Sequence, residues 1–395
     1  MTNLDQPLEE YAAADRIPPV AYLLPGCIGV IGCNSLGLGP IAPEVSASLG
    51  VSVPGVMAAA SAFGLGTAAS ALFLAGRIDR IGAWRMLRLA MVALAAALLL
   101  SALAPTVEVL IAAQALAGLA SGVALPAIYS NAAAIAPPGR ESRTVGLVLA
   151  GWTLSMVAGI SLSAMLADFV HWRAVFAAVA LLAAGAFAML AIGGHRDDRV
   201  AGTQPSPLAA FGIAGAKPLL LACGTFMTSF YGVYAYLGDH LHQALGQALS
   251  INGLAALVYG AGFGTAAFLD GMIDRYGARR LMPIAFLGVA GVYVALALAS
   301  AKAPAILAIM FFWGLANHFG LNMLIMRLTA LDPTRRGAVM GLNSAVTYLA
   351  AFAGTSAFGP VYTAYGFAAC AAAAVGLTLV SAAAASFRPG PRLDA

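Results

Sequence analysis

Charge is what this sequence has least of. Asp, Glu, Lys and Arg make up 9% of its 395 residues, where soluble domains carry about 25%. So thin a complement cannot cover the surface of a soluble domain of this length. The 20 basic residues, against 16 acidic ones, lie scattered between apolar stretches, which argues against a nucleic-acid partner. Cysteine is scarce too. Cys27, Cys33, Cys223 and Cys370 fall in apolar stretches without metal-ligand spacing and read as buried free thiols. No metal or cofactor is expected: the "DHLH" stretch, Asp239 to His242, reads as an exposed helix end rather than a metal site. The first 19 residues have neither the basic start nor the short apolar core of a secretory signal, and are expected to form a cytoplasmic tail. No nucleotide loop, zinc motif or nucleophile elbow is visible. "GAGFG" (260–264) sits inside an apolar run and follows no strand, so an enzyme is not expected.

What the sequence does have is apolar length. Its hydrophobic share is 61%, and a membrane-spanning helix needs roughly 20 apolar residues. Runs broken by short polar connections give twelve candidates: 20–42, 52–75, 87–104, 108–135, 144–167, 173–193, 217–239, 250–270, 281–301, 304–330, 338–362 and 365–387. Their Ala- and Leu-rich composition without alternation favours helices over barrel strands. The expected fold is an all-α membrane protein. With both termini cytoplasmic, 18 of the 20 basic residues fall on or near that side, and only Arg173 and Lys302 on the other. That asymmetry predicts a multi-pass protein of the inner membrane with both ends inside.

The sequence also repeats itself. "FLAGRIDRIGAWRM" and "AFLDGMIDRYGARRL" pair Asp79 with Asp274, Arg80 with Arg275, Gly82 with Gly277 and Arg85 with Arg280, each 195 positions apart. "AGLAS" (117–121) answers "WGLAN" (313–317), Arg140 answers Arg335, and Gly159 answers Gly354. An even number of spans per unit makes the repeats parallel, with the transport site at their interface. The expected organisation is a tail (1–19), a six-helix bundle (20–193), a linker (194–216), a second six-helix bundle (217–387) and a second tail (388–395). The pair Gly118/Gly122, with Gly260/Gly264, has the four-residue spacing of close helix packing, and Gly159 and Gly354 are placed with them.

The doubled loop resembles the signature of the major facilitator superfamily, roughly G-x-L-a-D-R-x-G-R-K between spans two and three. The first copy departs from it at Ala75, Ala83 and Trp84. Four further stretches, at 40–52, 114–143, 149–176 and 230–241, resemble the twelve-span drug:proton antiporters and the arabinose-efflux-permease-like branch. This resemblance implies two pseudo-symmetric six-helix bundles, alternating access and export. It also implies a cytoplasmic gate latch at Asp79, Arg80, Gly82 and Arg85 and at Asp274, Arg275, Gly277 and Arg280. Two departures weaken the implied proton route: Gln114 stands where the branch carries an Arg in span four, and Gly159-Ile160 where span five carries Gly-Pro.

Few charges fall inside the spans, so the cavity candidates are neutral and aromatic: Asn34, Gln114, Asn317, Asn322 and Asn343, with Phe230 and Tyr234 from the stripe Phe226, Phe230 and Tyr234 at four-residue spacing, and Tyr231 beside it. His318 is the exception, ~21 Å into a ~30 Å core and one helical turn from Asn322. It reads either as the carrier of a coupling proton or as a neutral side chain bonded between helices. The functional expectation is a monomeric exporter of a small neutral or amphipathic molecule, drug-, sugar- or metabolite-like, with protons as coupling partner and the lipid bilayer around it. Uncoupled uptake or facilitated diffusion, and a transport-inactive sensor or scaffold, remain open.

Overall fold

The computed structural model describes residues 18–74, 81–136, 141–193, 207–332 and 335–387. Ten of its helices are long and apolar enough to cross a membrane. One of them belongs to the 51-residue helix Arg336–Ser386, which at ~1.5 Å per residue would run more than twice a ~30 Å core. Gly366 breaks it with φ 77° and ψ −176°, so it is two spans. Ser250–Ala266, at 17 residues, falls just short of span length, and a 3-10 turn, Ala267–Leu269, prolongs it. Among the described residues the total is twelve.

In chain order the spans are α1 (Leu23–Leu49), α2 (Val53–Phe73), α3 (Ala83–Ala102), α4 (Val107–Ile135), α5 (141–169) and α6 (Trp172–Ile192). The second set is α7 (Ala216–Asp239), α8 (Ser250–Ala266), α9 (Ala278–Leu298), α10 (Ala303–Thr329), α11 (336–365) and α12 (367–386). A π-helical stretch, Ser155–Gly159, interrupts α5 at mid-span, and a π-helical turn, His240–Ala244, carries α7 onward. The chain enters α1 and leaves α12 at the same end of the molecule, called proximal below; the other end is distal.

The repeat is visible in the backbone. Gly82 and Gly277 precede α3 and α9 with φ 96° and 84°, a region where a Cβ is strained. The same small residues also permit the same close approaches in both halves. A Cβ on Gly118 would strike the Phe63 carbonyl, and one on Gly314 the Tyr259 carbonyl, so α4 touches α2 as α10 touches α8. Gly122 is held against Thr67 and Ser70. Gly159 of α5 lies against Cys33 of α1, while Gly354 of α11 lies against Thr228 and Gly232 of α7. Gly260 packs on Val157 of α5, but a Cβ on Gly264 would meet open space; Gly262, against Phe311, makes the contact expected there. All four cysteines are free thiols.

The two bundles meet along a seam in which α2 lies against α11, α5 against α8 and α1 against α7.

Candidate functional site

Each seam helix contributes its polar groups at a different depth. Near mid-membrane the Ser35 hydroxyl of α1 faces two phenols across the seam, Tyr231 on α7 and Tyr348 on α11. Phe63 of α2 meets the Tyr348 ring edge-on, 6.1 Å between centroids at 75°. The space enclosed there, bordered by Ser35, Phe63, Tyr231, Tyr234 and Thr355, is about 20 Å³. That holds about one water, whereas ligand pockets run to about 300–1,000 Å³. The bundles are therefore closed on each other at this level, and a solute can enter only if they part. Tyr234 is 6% exposed and its hydroxyl has no partner among the described residues, so it offers a hydrogen bond to whatever enters. A larger concavity of about 480 Å³ lies between α3 and α4. Its lining is only Met, Leu, Ala and Val, which suits an acyl chain and has nothing to orient a polar solute.

Behind the seam, aromatic rings fill the second bundle. Phe230 stacks on Tyr234 with centroids 5.5 Å apart and meets Tyr259 and Trp313 at 5.7 and 5.6 Å. Asn317 Nδ2 donates to Tyr259 Oη at 3.0 Å, which fixes that phenol. The spacing of four along α7 and α10 brings these rings to one face.

At the distal end the seam is shut by direct contacts. The Ser250 amide, at the start of α8, donates to Asp168 Oδ2 of α5 at 3.0 Å. Asn252 Nδ2 donates to the Pro40 carbonyl at 2.7 Å. Gly238 of α7 rests so close to Gly39 and Pro40 of α1 that a Cβ there would lie 2.8 Å from the Gly39 oxygen. A little deeper, Ser61 of α2 shares a hydrogen with Thr355 of α11 at 2.5 Å and accepts one from Ser356 at 2.9 Å.

The residues singled out from sequence fall in several places. Asn34 and Gln114 bond to each other in both directions, at 3.0 and 3.2 Å, and Gln114 also donates to Ser101 Oγ at 3.0 Å. This triad ties α1, α3 and α4 together inside the first bundle. Asn343 is buried with its carbonyl oxygen unpartnered, and Asn322 is half-buried on α10. His318 bonds Asp270, Nε2 to Oδ1 at 3.0 Å, with the Phe263 ring edge-on to it at 4.9 Å. Asp270 sits just before the short helix Gly271–Tyr276, so the second charged loop is tied to α10. Of the loop motif, Asp79 and Arg80 lie outside the described residues, as does Arg140. Arg275 lies over the Tyr276 ring at 5.4 Å, Arg280 is exposed, and Arg85 interacts with a neighbour.

Ser35, Tyr348, Tyr259 and Asp270 were not singled out from sequence, because only tertiary packing brings them together: across the bundles for Ser35 with Tyr348, and within the second bundle for Tyr259 with Asn317 and Asp270 with His318. Asp239 is a correction. It is 7% exposed rather than part of an exposed helix end, because the helix continues to Ala244. His240 and His242 turn to backbone carbonyls, those of Ser300 and Gln247.

A sequence model described as Major Facilitator Superfamily matches residues 26–355 and 240–393, which together take in nearly the whole chain. The chain belongs to the Major Facilitator Superfamily. It is therefore a membrane transporter of that type, with a small-molecule substrate, and not an enzyme. Among superfamily relatives, it is 27% identical over 362 residues to the Bacillus subtilis (strain 168) protein named "Uncharacterized MFS-type transporter YwfA", covering 89% of this chain and 88% of that one. It is 27% identical over 332 residues to the "Chloramphenicol resistance protein" of Streptomyces lividans, covering 82% and 84%. A Pasteurella multocida (strain Pm70) protein named "Probable sugar efflux transporter" is 25% identical over 240 residues, covering 59% and 58%. The solved structure of the nucleoside transporter NupG superposes with a TM-score of 0.73 at 14% identity, covering 93% of this chain and all of that one, which shows the superfamily fold.

Proposed function

We propose that this superfamily member exports a small, uncharged or weakly charged amphipathic molecule by alternating access, driven by a proton gradient. The observation that carries the reading is the seam. Two pseudo-symmetric bundles meet around a space bordered by hydroxyls and rings, with Tyr234 offering a phenol unpartnered among the described residues and no Asp, Glu, Lys, Arg or His among the residues that border it. Such a wall suits aromatic or aliphatic faces and neutral hydrogen-bonding groups and gives a fixed ion no counter-charge. Export is supported by the relatives named for drug resistance and sugar efflux.

In this reading the proximal end is cytoplasmic, on the strength of the Lys and Arg asymmetry, and the protein lies in the inner membrane as a monomer. The charged loops then form the cytoplasmic latch. The substrate is held by Tyr231, Tyr234 and Phe230, with Asn317, Asn322 and Asn343 behind them. His318, paired with Asp270, is the coupling candidate on the cytoplasmic side. Asn34 and Gln114 serve that cavity indirectly, by holding α1 to α4. One observation favours uncoupled facilitation instead: Gln114 is an amide already satisfied by Asn34 and Ser101, so it cannot relay a proton.

Uptake into inverted membrane vesicles separates the readings. A panel of neutral aromatic amides, sugars and organic ions is offered with and without an imposed pH gradient, inside acidic. Acceleration of the neutral amphipathic members is the expected result. Uptake indifferent to the gradient would establish the facilitator, and preference for organic ions would overturn the substrate class.

A further inference from the structure

The concavity between α3 and α4, about 480 Å³, has the size of a ligand pocket but opens away from the seam. It runs from Met86 to Leu100 along α3 and from Leu116 to Val123 along α4. Leu89, Leu100, Leu116 and Leu119 on its walls are exposed, so it faces the hydrocarbon of the bilayer. Between them lie small side chains such as Ala93 and Ala96, which let an occupant approach the backbone of α3. Met86 to Leu100 measures ~21 Å at ~1.5 Å per residue, so the trough runs through more than half of a ~30 Å core.

Its proximal mouth has the opposite character. α3 begins there, and its first turn has neither an acidic residue nor a side-chain cap, so the positive end of the helix dipole is left facing an anion. Arg85 precedes Leu89 by four residues and Ala96 by eleven, which puts it on the helix face that forms the trough. Arg88 follows within a turn. Side chains on a helix lean toward its amino end, here the proximal end, so both guanidiniums reach for the headgroups while their stems stay in the apolar layer. Arg85 is exposed and interacts with a neighbour; five N–H donors leave it capacity for a phosphate as well. Arg88 is half-buried and forms no ion pair among the described residues.

We propose that this trough binds one anionic phospholipid of the proximal leaflet, with an acyl chain between α3 and α4 and the phosphate on Arg85, Arg88 and the first amides of α3. A soluble anion would gain nothing from ~21 Å of apolar wall. A zwitterionic lipid would bring its own cation against two guanidiniums, whereas each basic group near the surface attracts an anionic one. The site also backs a contact that matters to the seam. Gly118 and Gly122, on the opposite face of α4, press on α2, and α2 lies against α11 of the second bundle. A chain in the trough fills the outer side of the helix that makes that contact. The site is independent of the direction and driving force of transport.

The test loads the full-length protein in detergent with equimolar phosphatidylglycerol and phosphatidylcholine, then identifies by native mass spectrometry the lipid that survives detergent exchange. The parent is expected to keep one phosphatidylglycerol. Arg85→Gln with Arg88→Gln should lose the preference for it over phosphatidylcholine by about tenfold. Ala93→Phe fills the trough from an exposed position without touching charge, and should keep neither lipid. Lys217→Gln with Arg279→Gln, which neutralises exposed basic residues at the proximal end of the second bundle, should behave as the parent. A parent that keeps no lipid, or keeps both alike, would overturn the site. So would full retention in Ala93→Phe, or an equal loss of preference in the second-bundle variant, which would reduce the effect to the general attraction of basic helix ends for anionic lipid. A dimer mass that Ala93→Phe disperses would mean that a second copy of the chain fills the trough, and would overturn it too. Should the double arginine variant not fold, an unchanged preference in Arg88→Gln together with unchanged retention in Ala93→Phe decides against it.

Discussion

Gln114 shows how one buried side chain can change meaning between sequence and structure. Read along the chain it is a neutral residue where a charged one is usual; in the folded bundle it is half of an amide pair with Asn34, capped by Ser101. Gln114→Ala leaves the Asn34 amide buried and unsatisfied, which costs about 1–3 kcal/mol. Thermal unfolding in detergent should therefore fall clearly below the parent, and an unshifted melting curve would show that water replaces the pair. The partnership was not legible beforehand. Both residues were recognisable as polar groups in apolar runs, but α1 and α4 meet only through tertiary packing, and 80 positions separate them. The aromatic stripe of α7 was more accessible, because its four-residue spacing is a property of one helix. Its partners on α8 and α10, Tyr259 and Trp313, are not.

Glycine sets the geometry at the level of the helix. Gly314 lies so close to the Tyr259 carbonyl that an added methyl cannot be accommodated without parting α10 from α8, whereas Gly264 on the same α8 has open space around it. Gly314→Ala should lower the folded yield and the melting temperature, while Gly264→Ala should leave both unchanged, as judged by size-exclusion profile and thermal unfolding. Equal behaviour of the two variants would contradict the packing described. The four-residue spacing identified the right helices, and both Gly118 and Gly122 face α2, but it did not tell that of Gly260 and Gly264 only the first meets a neighbour. Facing depends on helix rotation, and helices that are apolar all round, as these are, give weak information on rotation.

Across the whole molecule, the distal closure makes a mechanical prediction. Asp168 on α5 and the Ser250 amide on α8 belong to opposite bundles and are 3.0 Å apart across the closed seam. A disulfide between Asp168→Cys and Ser250→Cys should arrest transport in vesicles, and reduction should restore it. Undiminished transport by the cross-linked protein would mean that the distal seam does not open in the cycle.

Apolar run length, the even number of spans and the 195-residue repeat are one-dimensional properties. They were enough to establish an all-α membrane protein of two related six-helix bundles, because the bilayer leaves so few alternatives for the backbone. The facing of Ser35 toward Tyr231 and Tyr348, the pairing of His318 with Asp270 and the enclosure of Asp239 depend on how twelve helices are rotated and crossed. Packing at van der Waals range decides that, and the pattern of apolar and polar residues along a chain of apolar helices records it only faintly.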